Sequence, residues 1–131
     1  MTLDSGLEAP LITGIQLRLE FLKQGYVIHQ IENRQALDTL RHTVVEIACE
    51  HLGIPVEKDD AQFLNTLHTK VGSDKINALR LAVFSKVNAL PWFRATYFEL
   101  ARTPAFSLIG NELAMQNKVN LSIQMPNDET S

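Results

Sequence analysis

Residues Val119-Asn120-Leu121-Ser122-Ile123-Gln124-Met125 alternate apolar and polar side chains without a break. A period of two places the apolar set on one face of a strand and the polar set on the other. Such a strand also presents a row of backbone N–H and C=O groups, and these must be paired wherever they are buried. The rest of the chain offers little to pair them with. Tyr26-Val27-Ile28-His29-Gln30-Ile31 is the other short run dominated by β-branched and aromatic residues, and it reads as a strand. Two strands make a sheet that is marginal by itself. Pro126-Asn127-Asp128 then turns the chain. Strand 119–125 therefore calls for neighbours outside these residues. We expect the chain to be the front part of a longer protein; pairing of the strand with a second copy, or fraying, are the alternatives.

Everything else carries a helical signature. Asp4, Ser5, Gly6 and Pro10 mark residues 1–10 as a flexible leader, and residues 11–131 read as one helical domain ending in the strand. Leu11, Ile15, Leu19 and Leu22 form an apolar stripe on a helix from about Thr13 to Lys23, with Gly25 past its last turn. Asn33 can cap a long helix to Leu52, whose inner face is Leu37, Leu40, Val44, Ile47, Ala48 and Leu52; Gly53 and Pro55 end it. Asp59 or Asp60 can cap a short helix bearing Phe63, Leu64 and Leu67. Ser73 or Asp74 opens a helix to about Asn88, with Ile76, Leu79, Leu81, Val83 and Val87 mostly inward. Pro91 suits the first turn of an aromatic helix, and Pro104 begins a shorter one that ends at Gly110.

Composition excludes several function classes. With 131 residues, 45% of them hydrophobic and 21% charged, the chain resembles an ordinary folded domain. The net charge is -3 and no Lys/Arg run occurs, which argues against nucleic-acid binding. No apolar run approaches the roughly 18 residues that span a bilayer, and the start lacks the pattern of a signal peptide, so we expect no membrane partner and a cytoplasmic location. The single cysteine, Cys49, excludes an intrachain disulfide and reads as a small buried hydrophobe.

The residues do not assemble a catalytic signature. None of His29, His42, His51 and His68 is followed two residues later by Asp or Glu, and no His-Glu-x-x-His occurs. There is no Gly-x-Ser-x-Gly and no glycine-rich phosphate loop. Glu57, Asp59 and Asp60 read as solvated loop charge, as do Asp128 and Glu129. Trp92, Phe93, Tyr97 and Phe98 suit a core, or the wall of a ligand pocket. Arg94 and Arg102 suit surface arginines, or an anion site. We therefore assign no catalytic and no metal-binding residue. The most suggestive feature is the polar face of the last strand: Asn120, Ser122 and Gln124 fit either the inside of a small ligand-holding barrel or a face turned to water.

Two stretches carry a resemblance. Phe21-Leu22-Lys23-Gln24-Gly25-Tyr26-Val27-Ile28, followed by the helix of Leu37, Leu40, Val44 and Ile47, resembles the opening of phytanoyl-CoA dioxygenase-like enzymes, which are Fe(II)/2-oxoglutarate oxygenases. The run from Gly110-Asn111-Glu112-Leu113-Ala114-Met115-Gln116 through Val119 to Asp128 is similar to that family's entry into its jelly-roll barrel, particularly in a bacterial branch associated with sporadically distributed carbohydrate-biosynthesis clusters. The resemblance implies an α+β, mainly α chain: the helical front of a double-stranded β-helix oxygenase, with one or two strands and an incomplete barrel. It implies Fe(II) and 2-oxoglutarate for a full-length relative that hydroxylates a sugar-related or other small metabolite. The family's His-x-Asp…His triad is missing from these residues, so we expect no cofactor on this chain alone, and inactivity until the missing C-terminal barrel is supplied. Asn120 and Gln124 match the positions from which such enzymes reach the co-substrate, and they are the only candidate cofactor-binding residues. The competing expectation is a non-enzymatic helical interaction module, whose exposed strand adds to a partner's sheet or to a self-associating copy.

Overall fold

The computed structural model describes residues 14–110 and 115–126. The leader 1–10, the start of the first helix at Thr13, and the acidic pair Asp128 and Glu129 lie outside them. Six helices account for most of the described residues. They are α1 (14–24), α2 (Arg34–Leu52), α3 (Asp60–Asn65), α4 (Ile76–Ala89), α5 (Phe93–Glu99) and α6 (Arg102–Ile109), with a single 3₁₀ turn at Leu67–Thr69. The protein is mainly α, as expected.

The central helix α2 is bounded by local chemistry. The Asn33 side chain accepts a hydrogen bond from the Ala36 N–H at 2.9 Å, which satisfies one of the donors left open at a helix start. At the other end Gly53 adopts φ 70°, a left-handed conformation that a Cβ disfavours. Its N–H bonds to the Glu50 carbonyl at 3.2 Å, and the Ile54 N–H bonds to Cys49 at 3.0 Å. That crossed pair is the Schellman closure. Asp59 caps α3 in the same way, accepting from the Gln62 N–H at 3.0 Å.

α2 packs most extensively on α4, then on α5 and α3. The core lies between them. Val45, Cys49 and Phe63 are completely buried, and Leu79, Val83 and Val87 meet them from α4. Burial of such side chains drives folding at roughly 1.5–3 kcal/mol each. Among the described residues no polar or charged side chain is buried in this core.

Four expectations are corrected. Residues 26–31 do not form a strand, and among the described residues no strand is formed anywhere. A β-rich run needs a partner edge and a face to pack on, and Ile28, 85% exposed, has neither. Segment 119–125 is extended, yet it joins no ladder. The helix expected from Ser73 or Asp74 begins at Ile76, with no side-chain cap. Leu81 faces outward, because α4 buries the positions Leu79, Val83 and Val87 and residue 81 lies around the helix from them.

The largest departure concerns α1. Its apolar stripe faces water: Ile15, Leu19 and Leu22 are exposed, Leu22 by 76%, while Leu17 is buried at 3%. Two contacts set this rotation. The Arg18 guanidinium donates through Nε and a terminal nitrogen to the Ser107 carbonyl, both at 3.1 Å. That carbonyl lies in the last turn of α6, where backbone acceptors are open. Gly14 also approaches α6 so closely that a Cβ would lie 3.2 Å from the Ser107 Oγ.

Candidate functional site

The region that sequence points to is 119–125, and the helices hold it in an unusual way. Its apolar side chains turn inward: Val119 is buried, and Leu121, Ile123 and Met125 are half-buried against the core. Asn120, Ser122 and Gln124 are exposed. The period-two pattern is thus expressed in burial, although the neighbour on one side is a helical bundle instead of a strand.

Asn88, near the end of α4, takes the part of a pairing strand at one residue. Its side-chain amide donates to the Val119 carbonyl at 2.9 Å and accepts from the Val119 N–H at 2.8 Å. The same nitrogen also donates to the Phe84 carbonyl at 2.8 Å. Arg94 of α5 secures the approach to the segment, donating to the carbonyls of Gln116 at 2.7 Å and Met115 at 2.8 Å. Arg94 is therefore a clamp on the backbone. Arg102 lies 3.6 Å from Glu99 at the surface.

The segment runs between two clefts. The larger, about 500 Å³, is walled by Ala48, Phe63, Leu79 and Val83 and edged by Asn65, His68, Ser122 and Gln124. The smaller, about 300 Å³, is lined by Val87, Phe93, Tyr97 and Leu100, with Arg41 and Asn120. Val44, Leu64 and Leu121 line both. These volumes are at or below the middle of the range for small-molecule sites. Gln124 and Asn120 thus border different clefts, and the structure does not bring them to one ligand-sized point.

The other candidates resolve as follows. Cys49 is fully buried, in keeping with a packing role. Of the aromatic group, Phe93 is core, whereas Trp92 and Tyr97 are exposed by nearly half. The acidic loop is not merely solvated. Glu57 lies 3.5 Å from Lys70, Asp59 caps α3, and Asp60 bonds to His42 at 3.0 Å. The pairings made by Asn88 and His42 were missed in the sequence. Each joins residues far apart in the chain, and the one available signal was a polar residue on an otherwise inward helix face.

Among the described residues no group of three or more His, Cys, Asp or Glu side chains is placed to share a metal ion. Among the same residues no helix is long and apolar enough to cross a membrane. No family model matches the chain, and neither a curated protein nor a solved structure matches it.

Proposed function

We propose that this chain is the helical N-terminal portion of an Fe(II)/2-oxoglutarate-dependent oxygenase acting on a sugar-related or other small metabolite. The iron and the reaction belong to a barrel outside these residues. One observation carries the reading: 119–125 has the side-chain alternation of a strand, with its apolar face on the bundle and its polar residues exposed. A barrel needs such a first strand, backed by helices, with Asn120 and Gln124 turned away from them. The resemblance of 21–28 and 110–128 to the opening of that enzyme family supplies the chemistry. In such an enzyme a downstream triad would hold iron and supply oxygen activation, and this chain would orient the strand and turn the amide side chains of Asn120 and Gln124 away from the helices.

The test begins with the coding DNA beyond Ser131. An in-frame or frameshifted continuation encoding His-x-Asp within about one barrel turn supports the reading. In the protein made from that continuous frame, Asn120→Ala or Gln124→Ala, whichever lies at the co-substrate, should raise KM for 2-oxoglutarate several-fold. A stop followed by unrelated sequence would sink it.

A second reading has its own observation. Ile15, Leu19, Leu22, Tyr26 and Ile28 are all exposed along α1 and the connector after it. Contiguous exposed apolar surface commonly marks an interaction site. A non-enzymatic interaction module would use that face, and the isolated chain would then bind a protein partner without any downstream barrel.

A further inference from the structure

The His42 imidazole is held at both nitrogens by carboxylates from two helices. Nδ1 lies 3.0 Å from Asp60 of α3, and Nε2 lies 2.8 Å from Glu46, one turn along α2. The Asp60 side chain is mostly enclosed, whereas His42 and Glu46 are about half exposed. A neutral imidazole has one N–H donor and one lone pair. It can satisfy one of these carboxylates while turning its lone pair toward the other. Only the imidazolium donates to both.

What the pair joins gives it a consequence. Asp60 is the first residue of α3, and α3 carries Phe63 into the core. Phe63, Leu64 and Asn65 of α3 form one wall of the larger cleft, and Leu67 and His68 of the following turn extend it. α3 is only six residues long, too short to be stable without its tertiary anchors. Its polar attachment to α2 is the His42–Asp60 contact, 18 positions apart in the chain.

We propose that His42, Asp60 and Glu46 form a pH-sensitive latch that holds α3, and with it one wall of the larger cleft, against α2. Protonation closes the latch, and loss of the proton loosens it.

The electrostatics run in the same direction. His42 is raised from its ordinary 6.5, first by the hydrogen bond to Asp60, against a smaller opposing effect of desolvation, and further by the negative charges of Asp60 and Glu46. Those two carboxylates, one on each packed helix, are the ionised groups acting on it. Because the folded-state value lies above the unfolded one, the contribution is complete below about 6.5 and is lost as pH rises through the raised folded value. Deprotonation therefore loosens α3 as pH rises through the raised value of His42.

Amide hydrogen exchange, corrected for the intrinsic effect of pH, reads the latch on the intact chain. From about pH 6 to about pH 8.5 the opening of the amides of Phe63 in α3 and of Thr66, which caps it, should rise several-fold, while the centre of α2 stays protected. His42→Gln, which keeps a hydrogen-bonding side chain but cannot titrate, should remove the pH dependence. Asp60→Asn should leave α3 loose at both ends of the range. An NMR titration of the His42 ring should give a midpoint above that of a free imidazole. A midpoint at or below the ordinary value, α3 opening that does not change with pH, or an unchanged pH profile in His42→Gln would each overturn the latch.

Discussion

The Asn88 side chain forms a two-way hydrogen bond with the backbone of Val119, giving 2.9 Å to its carbonyl and taking 2.8 Å from its N–H. One amide side chain thus does for one residue what a neighbouring strand does along a ladder. Val119 is the buried end of the extended segment, and both bonds are partly shielded from water.

Truncation of that side chain should release the segment. Asn88→Ala leaves a partly buried donor and acceptor without protein partners, at a cost of about 1 kcal/mol. Urea denaturation should show the loss, and the Val119 amide should lose its exchange protection before the amides of α2 and α4. Unchanged protection at Val119 would mean that packing by Leu121 and Ile123 holds the segment unaided.

Phe63 tests the core against the surface. It is fully buried, whereas Phe106 is 40% exposed. Phe63→Ala should destabilise the fold by about 3–5 kcal/mol, as cavity-forming core substitutions do. Phe106→Ala should cost far less, although its ring meets Phe98 edge-on at 6.0 Å. Thermal melts of the two variants should differ widely; equal shifts would contradict the core described above.

The two ends of α2 should respond separately. Asn33→Ala removes the side-chain acceptor for Ala36 and should cost about 1 kcal/mol. Gly53→Ala forces a Cβ into a left-handed backbone and should cost about 1–2 kcal/mol. The positions lie at opposite ends of a 19-residue helix, so the double variant should show a nearly additive loss. A much smaller loss in the double variant would indicate that α2 frays as one unit.

Cys49 is predicted to resist thiol reagents in the native protein and to react as the chain unfolds, since no solvent reaches it. Alkylation followed by mass measurement across a urea series should track global unfolding. Rapid labelling without denaturant would place the thiol on a locally opening surface.

These experiments also separate what could be read in the sequence from what could not. Asn33, Gly53 and Asp59 were legible because a cap is made within a few residues of the group it satisfies. The inner face of α2 was legible only in part. Leu40 and Ala48 are buried and Val44, Ile47 and Leu52 pack at its margin, but the helix is rotated so that Ala36 and Val45 are buried and Leu37 is not. The alternation at 119–125, by contrast, reappears directly in burial. The rotation of α1 was not legible. The stripe of Ile15, Leu19 and Leu22 predicts burial, yet Arg18 and Gly14 fix the helix to Ser107, 89 positions away from Arg18. Residues 26–31 failed for a related reason: strand propensity expresses itself only where an edge is offered. The pairing of Asn88 with Val119 spans 31 positions, beyond the reach of local pattern.

The anchoring of α1 has a mechanical corollary. Among the described residues it meets the body through a buried leucine, a guanidinium gripping a carbonyl and the close approach of Gly14 to α6, whereas α2 is clasped by three neighbours. Under rising heat or tension the molecule should therefore not yield all at once. The first helix peels away at small cost, and the remainder then melts in one later, steeper event.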